Sequence, residues 1–376
     1  MENHFSNALS CGVSKHIGLL GARRETLVWL VCLIMRHGTV CLWRLAAHVG
    51  TSAQTDSVRR RFYRFFQFVR LDDALVARMV VSMLGLAGKP WVLAMDRTNW
   101  KFGKTTINIL MISVVWNGLG VPLLWTLLPT EGNSKTKART QLLDRLRRAF
   151  PDMKIAALTG DREFIGDGWM RYLTRRKIPF VLRLRENQQV VRAGYEPVSL
   201  ATLAQNLKRG DTQIIKGQCR LGQAADAKSP LLRLVLLRLK TGELLALACS
   251  GNPRRALARY RQRWTIETLF SNIKTRGFDL EATHMTAPGK LSTLLAVLAL
   301  AVTLTVKAGV AAARGLPAQL KKHGYPARST FALGLDSLRK LMAPTRSAQL
   351  SQALQQLCST QIPKLHNVNK PFFARV

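Results

Sequence analysis

The sequence of 376 residues predicts an α/β protein: a mixed-sheet core interrupted by a β-rich insertion, with helical regions at both ends. Three observations predict this class. Short apolar runs alternate with amphipathic stretches between residues 89 and 185. Strand-like runs with turn signals fill residues 186–250, and helical patterns occupy both ends. A hydrophobic content of 47% indicates a folded chain.

Residues 1–88 are predicted to form a helical N-terminal DNA-binding domain. The pattern predicts helices over 25–36, 39–48 and 57–70, with Gly50 ending the second. The third interleaves five arginines with five aromatic residues. A helix, a glycine turn and a basic helix are the outline of helix-turn-helix DNA binding; the alternative, an amphipathic helix with its arginines in water, is compatible with it. The candidate DNA contacts are Arg59, Arg60, Arg61 and Arg64.

Residues 89–185 are predicted to form the first part of the core, after a linker containing Gly85, Gly88 and Pro90. Asp96 is expected at the end of the first strand and Asp161 just after the fourth, on neighbouring strand ends, where α/β sheets present ligands. Asn117-Gly118 is a strong hairpin turn. The predicted strands are 91–96, 107–116, 121–128, 155–158 and 180–184, and the predicted helices are 137–150 and 167–177.

Residues 186–250 are predicted to be a β-rich insertion, and residues 251–315 the second part of the core. The apolar run 291–306 contains serine and threonine and is shorter than the roughly 20 residues of a membrane span. We therefore expect a buried helix over 290–314 and no membrane segment. Residues 316–376 are predicted to form a helical C-terminal region with a basic end.

The stretch from Tyr260 to Lys274 is predicted to be one helix that ends near Gly277. At 100° per residue, Tyr260, Arg263, Glu267 and Lys274 fall within an arc of about 60°, beside an apolar stripe. A phenol next to cations suits a phosphate backbone. The alternative is a solvated face with ion pairs four residues apart.

The net charge of +36, from 57 basic and 21 acidic residues, indicates a polyanionic partner. Nucleic acid is the first choice, because each neutralised phosphate releases counterions, and an anionic membrane is the second. Six single cysteines without zinc-site spacing indicate reduced thiols in a cytosolic protein. No glycine-rich phosphate loop is present, so ATP dependence is not indicated.

Three acids are candidate metal ligands: Asp96, Asp161 and Glu267. Acids that converge on one spot need a cation to neutralise them. Two divalent ions about 3.5–4 Å apart can activate an oxygen nucleophile and stabilise the leaving oxygen of a phosphodiester. Oxygen ligands and a phosphate substrate favour Mg²⁺ or Mn²⁺. The alternative for each aspartate is an ordinary turn or cap residue.

Three blocks of sequence, in order, resemble a known family. They are Leu93-Ala-Met-Asp96, Gly160-Asp-Arg-Glu-Phe164 and Tyr260-x2-Arg263-x3-Glu267-x6-Lys274. The last matches the Y-R-E-K signature of bacterial insertion-sequence transposases of the family named after insertion sequence four. The resemblance runs from about residue 40 to about residue 340.

This resemblance implies a DDE transposase with an RNase H-like core, in which Asp96, Asp161 and Glu267 are the catalytic metal ligands. Two Mg²⁺ ions per site are expected, with Mn²⁺ able to substitute. Family members cleave at the ends of the element and join the free 3′-hydroxyl to target DNA. Tyr260, Arg263 and Lys274 would hold terminal phosphates, and Arg162 and Trp264 would hold a displaced base or an end phosphate.

The expected partners are double-stranded DNA, at terminal inverted repeats and at the target, and a second copy of the chain in a synaptic homodimer. The expected location is the bacterial cytoplasm, in association with the nucleoid. Two alternatives remain open: a basic nucleic-acid-packaging protein without catalysis, and another RNase H-like DNA nuclease without strand transfer.

Overall fold

The computed structural model describes residues 7–49, 53–222, 229–314, 326–342 and 347–359. The strands are β1 (Pro90–Phe102), β2 (Thr105–Trp116), β3 (Leu119–Leu127), β4 (Lys154–Gly160), β5 (Phe180–Leu184), β6 (Gln189–Arg192), β7 (Val198–Ser199), β8 (Thr212–Ile214), β9 (Cys219–Leu221), β10 (Arg233–Arg238) and β11 (Leu244–Cys249).

The α-helices are α1 (Asn7–Ile17), α2 (Gly21–His37), α3 (Leu42–Ala46), α4 (Thr55–Phe68), α5 (Asp73–Leu84), α6 (Thr136–Ala149), α7 (Asp167–Arg175), α8 (Leu200–Leu203), α9 (Ala256–Arg261), α10 (Trp264–Ile273), α11 (Pro288–Arg314), α12 (Thr330–Leu341) and α13 (Ser347–Cys358). Short 3₁₀ turns cover Arg162–Phe164, Pro253–Arg255 and Leu280–Ala282.

An eight-stranded mixed sheet lies at the centre, in the order β3-β2-β1-β4-β5-β11-β10-β8. β1, β2 and β3 form an antiparallel meander, while β4 and β5 are parallel to β1. The order β3-β2-β1-β4-β5, with β2 alone antiparallel to the others, is that of an RNase H-like core. The predicted fold class is therefore confirmed. Eight consecutive residues of β2 are buried, which shows that helices cover both faces of the sheet.

The hairpin between β2 and β3 forms at Asn117-Gly118, as predicted. Both residues have positive φ, 49° and 75°, as a two-residue turn matching the strand twist requires. Gly120 follows at the start of β3, and a Cβ there would lie 2.5 Å from the carbonyl oxygen of Thr265. The absence of a side chain at Gly120 thus lets the backbone of α10 pack directly on β3.

Asp96 lies in the middle of β1 and not at the end of a strand, which corrects the prediction. β1 continues to Phe102 because its antiparallel pairing with β2 extends along the whole hairpin. Its parallel pairing with β4 stops earlier, at Ala94 and Thr159. Asp96 therefore projects just past the carboxyl end of β4, and Asp161 directly follows that strand, so the two acids still meet at one edge.

The segment 186–250 is β-rich, but it contributes to two sheets. β6, β7 and β9 form a small separate sheet, whereas β8, β10 and β11 extend the central sheet beyond β5. β11 pairs antiparallel with β5 from Ala246 to Cys249. The insertion is thus hydrogen-bonded into the core, and the domain boundaries proposed from the sequence stay predictions.

The stretch from Tyr260 to Lys274 forms two helices, so the prediction of one continuous helix is wrong. α9 ends at Arg261 and α10 begins at Trp264. Between them, the amides of Thr265 and Ile266 bond to carbonyls three residues back, and the Thr265 hydroxyl also donates to the Gln262 carbonyl. This tighter turn replaces α-helical bonding. α10 also ends earlier than expected, at Ile273 rather than near Gly277.

One hydrophobic cluster runs from Leu9 in α1 to Leu357 in α13 and includes the buried face of the sheet. The long helix α11 lies inside it and packs against α5, α12 and β3. By length and composition α11 could cross a membrane, but 94% of its most apolar window is buried within the protein. The prediction of a buried core helix at this position is therefore confirmed.

The N-terminal helices join the same core. Phe62, Phe65 and Phe66 of α4 are buried, as the amphipathic pattern predicts. The sequence analysis missed α5, which Asp72 caps by accepting from the amides of Ala74 and Leu75. α3 has only five residues, so the expected second helix is much shorter than predicted. Gly50 of the expected turn and the basic C-terminal end lie outside the described residues.

Candidate active site

Three acids from separate elements surround one guanidinium group. Asp96 comes from β1, Asp161 follows β4, and Glu267 lies in the first turn of α10. Arg263 lies between them: its Nη1 is 3.5 Å from Oδ2 of Asp96 and its Nη2 is 2.5 Å from Oε1 of Glu267. The structure thus brings the predicted acids to a common site.

Asp96 is the most perturbed of these carboxyl groups. Its pKa is raised to about 6, mainly by burial and in smaller part by the neighbouring charges of Glu267 and Asp161. The amide of Arg97, 2.7 Å from Oδ1, and the guanidinium of Arg263 oppose the rise. A carboxyl group whose ionised form is disfavoured in this way gains when a cation arrives, because the cation removes the cost of its charge.

Arg263 is 6% exposed. Burial alone would lower its pKa, but Tyr260, Glu267, Asp161 and Asp96 together hold the pKa of the guanidinium above its ordinary value. Arg263 therefore compensates the negative charge of this group of acids.

The same residues can be compared with the ligands that a divalent cation requires. Among the described residues, no three acids, histidines or cysteines have the close spacing of a formed metal site. Two other observations fit a cation: Oδ1 of Asp161 is buried without a hydrogen-bond partner in the described chain, and the donors are carboxylate oxygens. The residues therefore fit a divalent ion. Arg263 lies among the same carboxylates and supplies positive charge there.

Tyr260 and Lys274, both expected at DNA phosphates, are engaged inside the protein. Tyr260 is 3% exposed and its ring lies 5.4 Å from the guanidinium carbon of Arg263. Its hydroxyl has no hydrogen-bond partner among the described residues, and burial raises its pKa to about 12. Lys274 donates to the carbonyl of Asn99 and forms an ion pair of 2.7 Å with Glu281.

Arg162 is exposed in the 3₁₀ turn directly after Asp161, and Trp264 is half-buried at the start of α10. The arginines of α4 form a separate group. Arg60 and Arg64 are exposed, and neither forms an ion pair with a described residue. Arg61 is instead bound within the protein by the Thr26 hydroxyl, the Glu25 carboxylate and the ring of Trp29.

Arg59 also has partners on the protein surface. It pairs with Asp56 at 3.3 Å and lies 4.6 Å over the ring of Trp43. The structure therefore places Arg60 and Arg64 for an external partner, and it gives Arg61 a structural role that the sequence pattern does not reveal.

The sequence analysis missed a network behind the acids. Glu163 accepts from Arg97 at 3.1 Å and from the amide and hydroxyl of Ser134 at 2.8 and 2.7 Å. Arg97 also donates to Asn108, a buried polar residue in an otherwise apolar strand. Arg97 directly follows Asp96, and Glu163 comes two residues after Asp161. The network therefore fixes the backbone next to both site acids. Asn108 in an apolar strand was the signal available in the sequence.

Chemically, the site can hold a hard cation between carboxylates at the edge of an RNase H-like sheet, with further cations close by. That arrangement suits reactions at phosphate esters, in which negative charge builds up on oxygen.

The comparison with protein-family models identifies the class of domain. A family model described as a transposase DDE domain matches residues 87–304, more than half of the chain. None of the curated proteins matches. Among solved structures, a piggyBac transposase in a synaptic complex with hairpin DNA is similar: 13% identity, 96% of this chain and 84% of that chain covered, and a TM-score of 0.42.

Proposed function

Because this chain belongs to the family of transposases with a DDE domain, we propose that it carries out cut-and-paste DNA transposition. It would cleave DNA at the ends of its element and transfer the free 3′ ends into target DNA. The observation that carries the proposal is the meeting of Asp96, Asp161 and Glu267 around one buried arginine at the edge of the sheet.

The three acids are proposed as the catalytic metal ligands. When bound, divalent ions, Mg²⁺ by preference with Mn²⁺ as substitute and two per site, supply activation of an oxygen nucleophile and stabilisation of the leaving oxygen. The chain itself orients the acids: the Arg97 amide fixes one oxygen of Asp96, and α10 carries Glu267 against β3. Arg263, which lies beside Asp96 and Glu267, is proposed to hold a DNA phosphate at the same site.

Tyr260 and Lys274 are proposed at the terminal phosphates of the transposon end, and Arg162 and Trp264 at an end phosphate or a displaced base. Arg59, Arg60, Arg61 and Arg64 were assigned to DNA together. We now propose that role for Arg60 and Arg64 first, because both are exposed and unpaired among the described residues. Arg59 would join them only by leaving Asp56.

The finer assignments follow from the spacing of the Y-R-E-K residues and the resemblance built on it. We propose membership in the insertion-sequence-four group, a homodimer that synapses two inverted repeats, and a bacterial cytoplasmic, nucleoid-associated location. We also propose the division into an N-terminal DNA-binding domain (1–88), a core in two parts (89–185 and 251–315), an insertion (186–250) and a C-terminal region (316–376).

A cleavage assay tests the proposal. Purified protein is incubated, with and without Mg²⁺, with a linear fragment that carries the DNA flanking its own gene. We expect metal-dependent excision and strand joining by the wild type and by Asp152→Asn, an exposed acid that precedes β4 at the end of the strand opposite Asp161. We expect none by Asp96→Asn, Asp161→Asn or Glu267→Gln, while all of them bind DNA.

Each other outcome has a distinct meaning. Retained cleavage in any of the three site variants would refute the assigned triad. Cleavage without strand joining would favour a different RNase H-like nuclease. Binding without cleavage by every protein would favour a packaging role.

A further inference from the structure

A second cluster of charged groups begins one residue beyond Asp161. A cavity of about 490 Å³ lies there, and it is distinct from the group of acids around Arg263. Four of its lining residues are cations and one is an acid: Lys135, Arg139, Arg162, Arg185 and Glu163. We call it the Lys135–Arg185 cavity.

Three of these cations are available to a ligand. Lys135, Arg162 and Arg185 are exposed, and none of them forms an ion pair or a side-chain hydrogen bond with a residue that the structure describes. Three unpaired cations around one cavity leave its wall strongly positive.

Arg139 forms the buried part of the wall and is only 4% exposed. Its Nε donates to the Ser134 hydroxyl at 2.8 Å, and its Nη2 donates to the carbonyls of Ser134 and Glu163. Its remaining nitrogen, Nη1, donates to no described group. Nη1 is not among the buried atoms that lack a partner, so it remains accessible and can donate to an acceptor in the cavity.

The single acid does not oppose an anion. Glu163 is already bound by Arg97 at 3.1 Å and by Ser134 through both its amide and its hydroxyl. Its charge is therefore compensated inside the wall, and the cavity keeps an excess of positive charge.

Two helices also begin at this cavity. α6 begins after Lys135 and α7 begins after Gly166; both preceding residues line the cavity, and neither helix start has a side-chain cap. Unsatisfied amides and the helix dipole favour an anion at such a position. The one acid in the first turn of α7, Asp167, is held by Arg171 and Ser229.

We propose that the Lys135–Arg185 cavity binds a backbone phosphate of DNA next to the phosphate on which the three acids act. The identification of the anion as DNA rests on the proposed function. The position follows from the chain: Arg162 and Glu163 directly follow Asp161, and Arg97, which binds Glu163, directly follows Asp96. The cavity volume lies within the roughly 300–1,000 Å³ of ligand pockets and so admits a nucleotide of a strand.

The salt dependence of DNA binding tests the proposal. Binding of a short linear duplex is measured by fluorescence anisotropy without divalent metal over a range of salt concentrations, for the wild type and for the double variant Lys135→Ala/Arg185→Ala. We expect the log–log salt slope to fall by about 1, the value for one lost phosphate contact. The matched control, Arg175→Ala/Lys240→Ala, removes two exposed cations outside the cavity.

Equal slopes in the cavity variant and the control would overturn the proposal. Because Lys135 and Arg185 are exposed and unpaired among the described residues, both double variants should unfold at the wild-type temperature. A change in slope therefore reports on binding and not on folding.

Single neutral methylphosphonate linkages locate the phosphate. We expect one position beside the cleavage site to weaken wild-type binding about 3- to 10-fold and to cause a clearly smaller loss in the double variant, which keeps Arg139 and Arg162. Coupling observed in a duplex that ends in the element identifies the phosphate as one of the element strand. Coupling observed in an unrelated duplex identifies it as one of target DNA. If no methylphosphonate position shows this coupling, the proposal is refuted.

Coupling and DNA cleavage are both measured for the wild type and for Asp161→Asn. The pair of results separates the proposed cavity from the proposed transposition. Coupling that persists while no protein cleaves DNA would support the cavity and contradict the proposed transposition. Normal cleavage without coupling at any position would do the reverse.

Discussion

Two of the buried cations among the described residues, Arg263 and Lys307, have different kinds of partner. Arg263 is 6% exposed and lies among carboxylates, which raise its pKa. Lys307 is fully buried, and its Nζ donates to the carbonyls of Met83 and Ser359. Burial lowers the pKa of Lys307 to about 8, which the nearby Cys358 thiol only partly opposes. Since carboxylates neutralise a charge and carbonyls do not, the two residues should respond differently to substitution.

Replacing Arg263 should cost stability and increase metal affinity. In Arg263→Gln, Asp96 and Glu267 lose their shared cation, and we expect the free energy of unfolding to fall by about 2 kcal/mol, a value reduced for the partial exposure of Glu267. Mn²⁺ should restore more stability to this variant than to the wild type.

Urea unfolding with and without Mn²⁺ measures both effects, and the exposed Arg254→Gln is the control. If Arg263→Gln matched that control in stability and in its response to Mn²⁺, Arg263 would not be the cation that neutralises the acids.

Lys307 should make stability depend on pH. Its pKa is about 8 in the folded protein and its ordinary value is 10.5, so between these values the unfolded chain binds more protons. Its burial cost is therefore present in full below about pH 8 and is relieved as the pH rises. We expect the contribution of Lys307 to the free energy of unfolding, measured as the difference between the wild type and Lys307→Met, to increase by about 1 kcal/mol between about pH 8 and pH 9.

The increase should be lost in Lys307→Met and kept in the exposed-site control Lys340→Met, as measured by urea unfolding at each pH. The window stops near pH 9 because burial raises the pKa of the Cys358 thiol to about 11, which acts in the opposite direction at higher pH. An identical rise in Lys307→Met would assign the effect to the overall charge.

At the scale of elements, α4 has two kinds of arginine on one helix. The buried face carries the phenylalanines, and Arg61 is tied to α2 through Thr26 and Glu25. Arg60 and Arg64 project to the exposed side. The sequence of α4 shows four arginines of the same type, whereas contacts with α2 set Arg61 apart from Arg60 and Arg64.

The two kinds should separate by experiment. Arg60→Ala/Arg64→Ala should reduce the salt slope of DNA binding by about 2 and leave unfolding unchanged, since each removes one available phosphate contact. Arg61→Ala should instead lower the free energy of unfolding by about 1 kcal/mol, a figure discounted for its partial exposure.

Anisotropy titrations and urea unfolding of the same protein samples measure both quantities. A loss of salt slope in Arg61→Ala as large as in the double variant would show that α4 binds DNA through another face.

At the scale of the whole molecule, the insertion and the site share a small core. Val181 of β5, Leu247 of β11 and Tyr260 of α9 belong to one hydrophobic cluster, separate from the main core. The strands β10 and β11 therefore extend the sheet and also support the helix that leads to Arg263 and Glu267.

Truncating Leu247 should reach the site through this cluster. Leu247 is fully buried, so we expect Leu247→Ala to lower the free energy of unfolding by about 3 kcal/mol. Cleavage should fall as well, because Tyr260 loses support. The control Leu231→Ala, at a position 48% exposed, should change stability by less than about 0.5 kcal/mol.

Unfolding and single-turnover cleavage are measured on both variants. Wild-type stability and cleavage in Leu247→Ala would mean that the insertion is independent of the catalytic core.

The sequence by itself determined the class of fold, most strand positions and the hairpin at Asn117-Gly118, and it singled out three acids that the fold brings together around Arg263. These depend on local signals: alternation of apolar residues, turn residues with positive φ, and acids placed against strands. Tertiary structure decided the rest. The reach of β1 past Asp96 is set by its pairing with β2, and the break between α9 and α10 by bonds to carbonyls three residues back.

The placement of Arg263 among the acids and the cavity around Arg139 also depend on tertiary structure. The residue type alone does not show whether an arginine lies on the surface or in the core. Its role is decided by the charges that folding brings within a few ångströms, from strands and helices far apart in the chain, and by the water that folding removes.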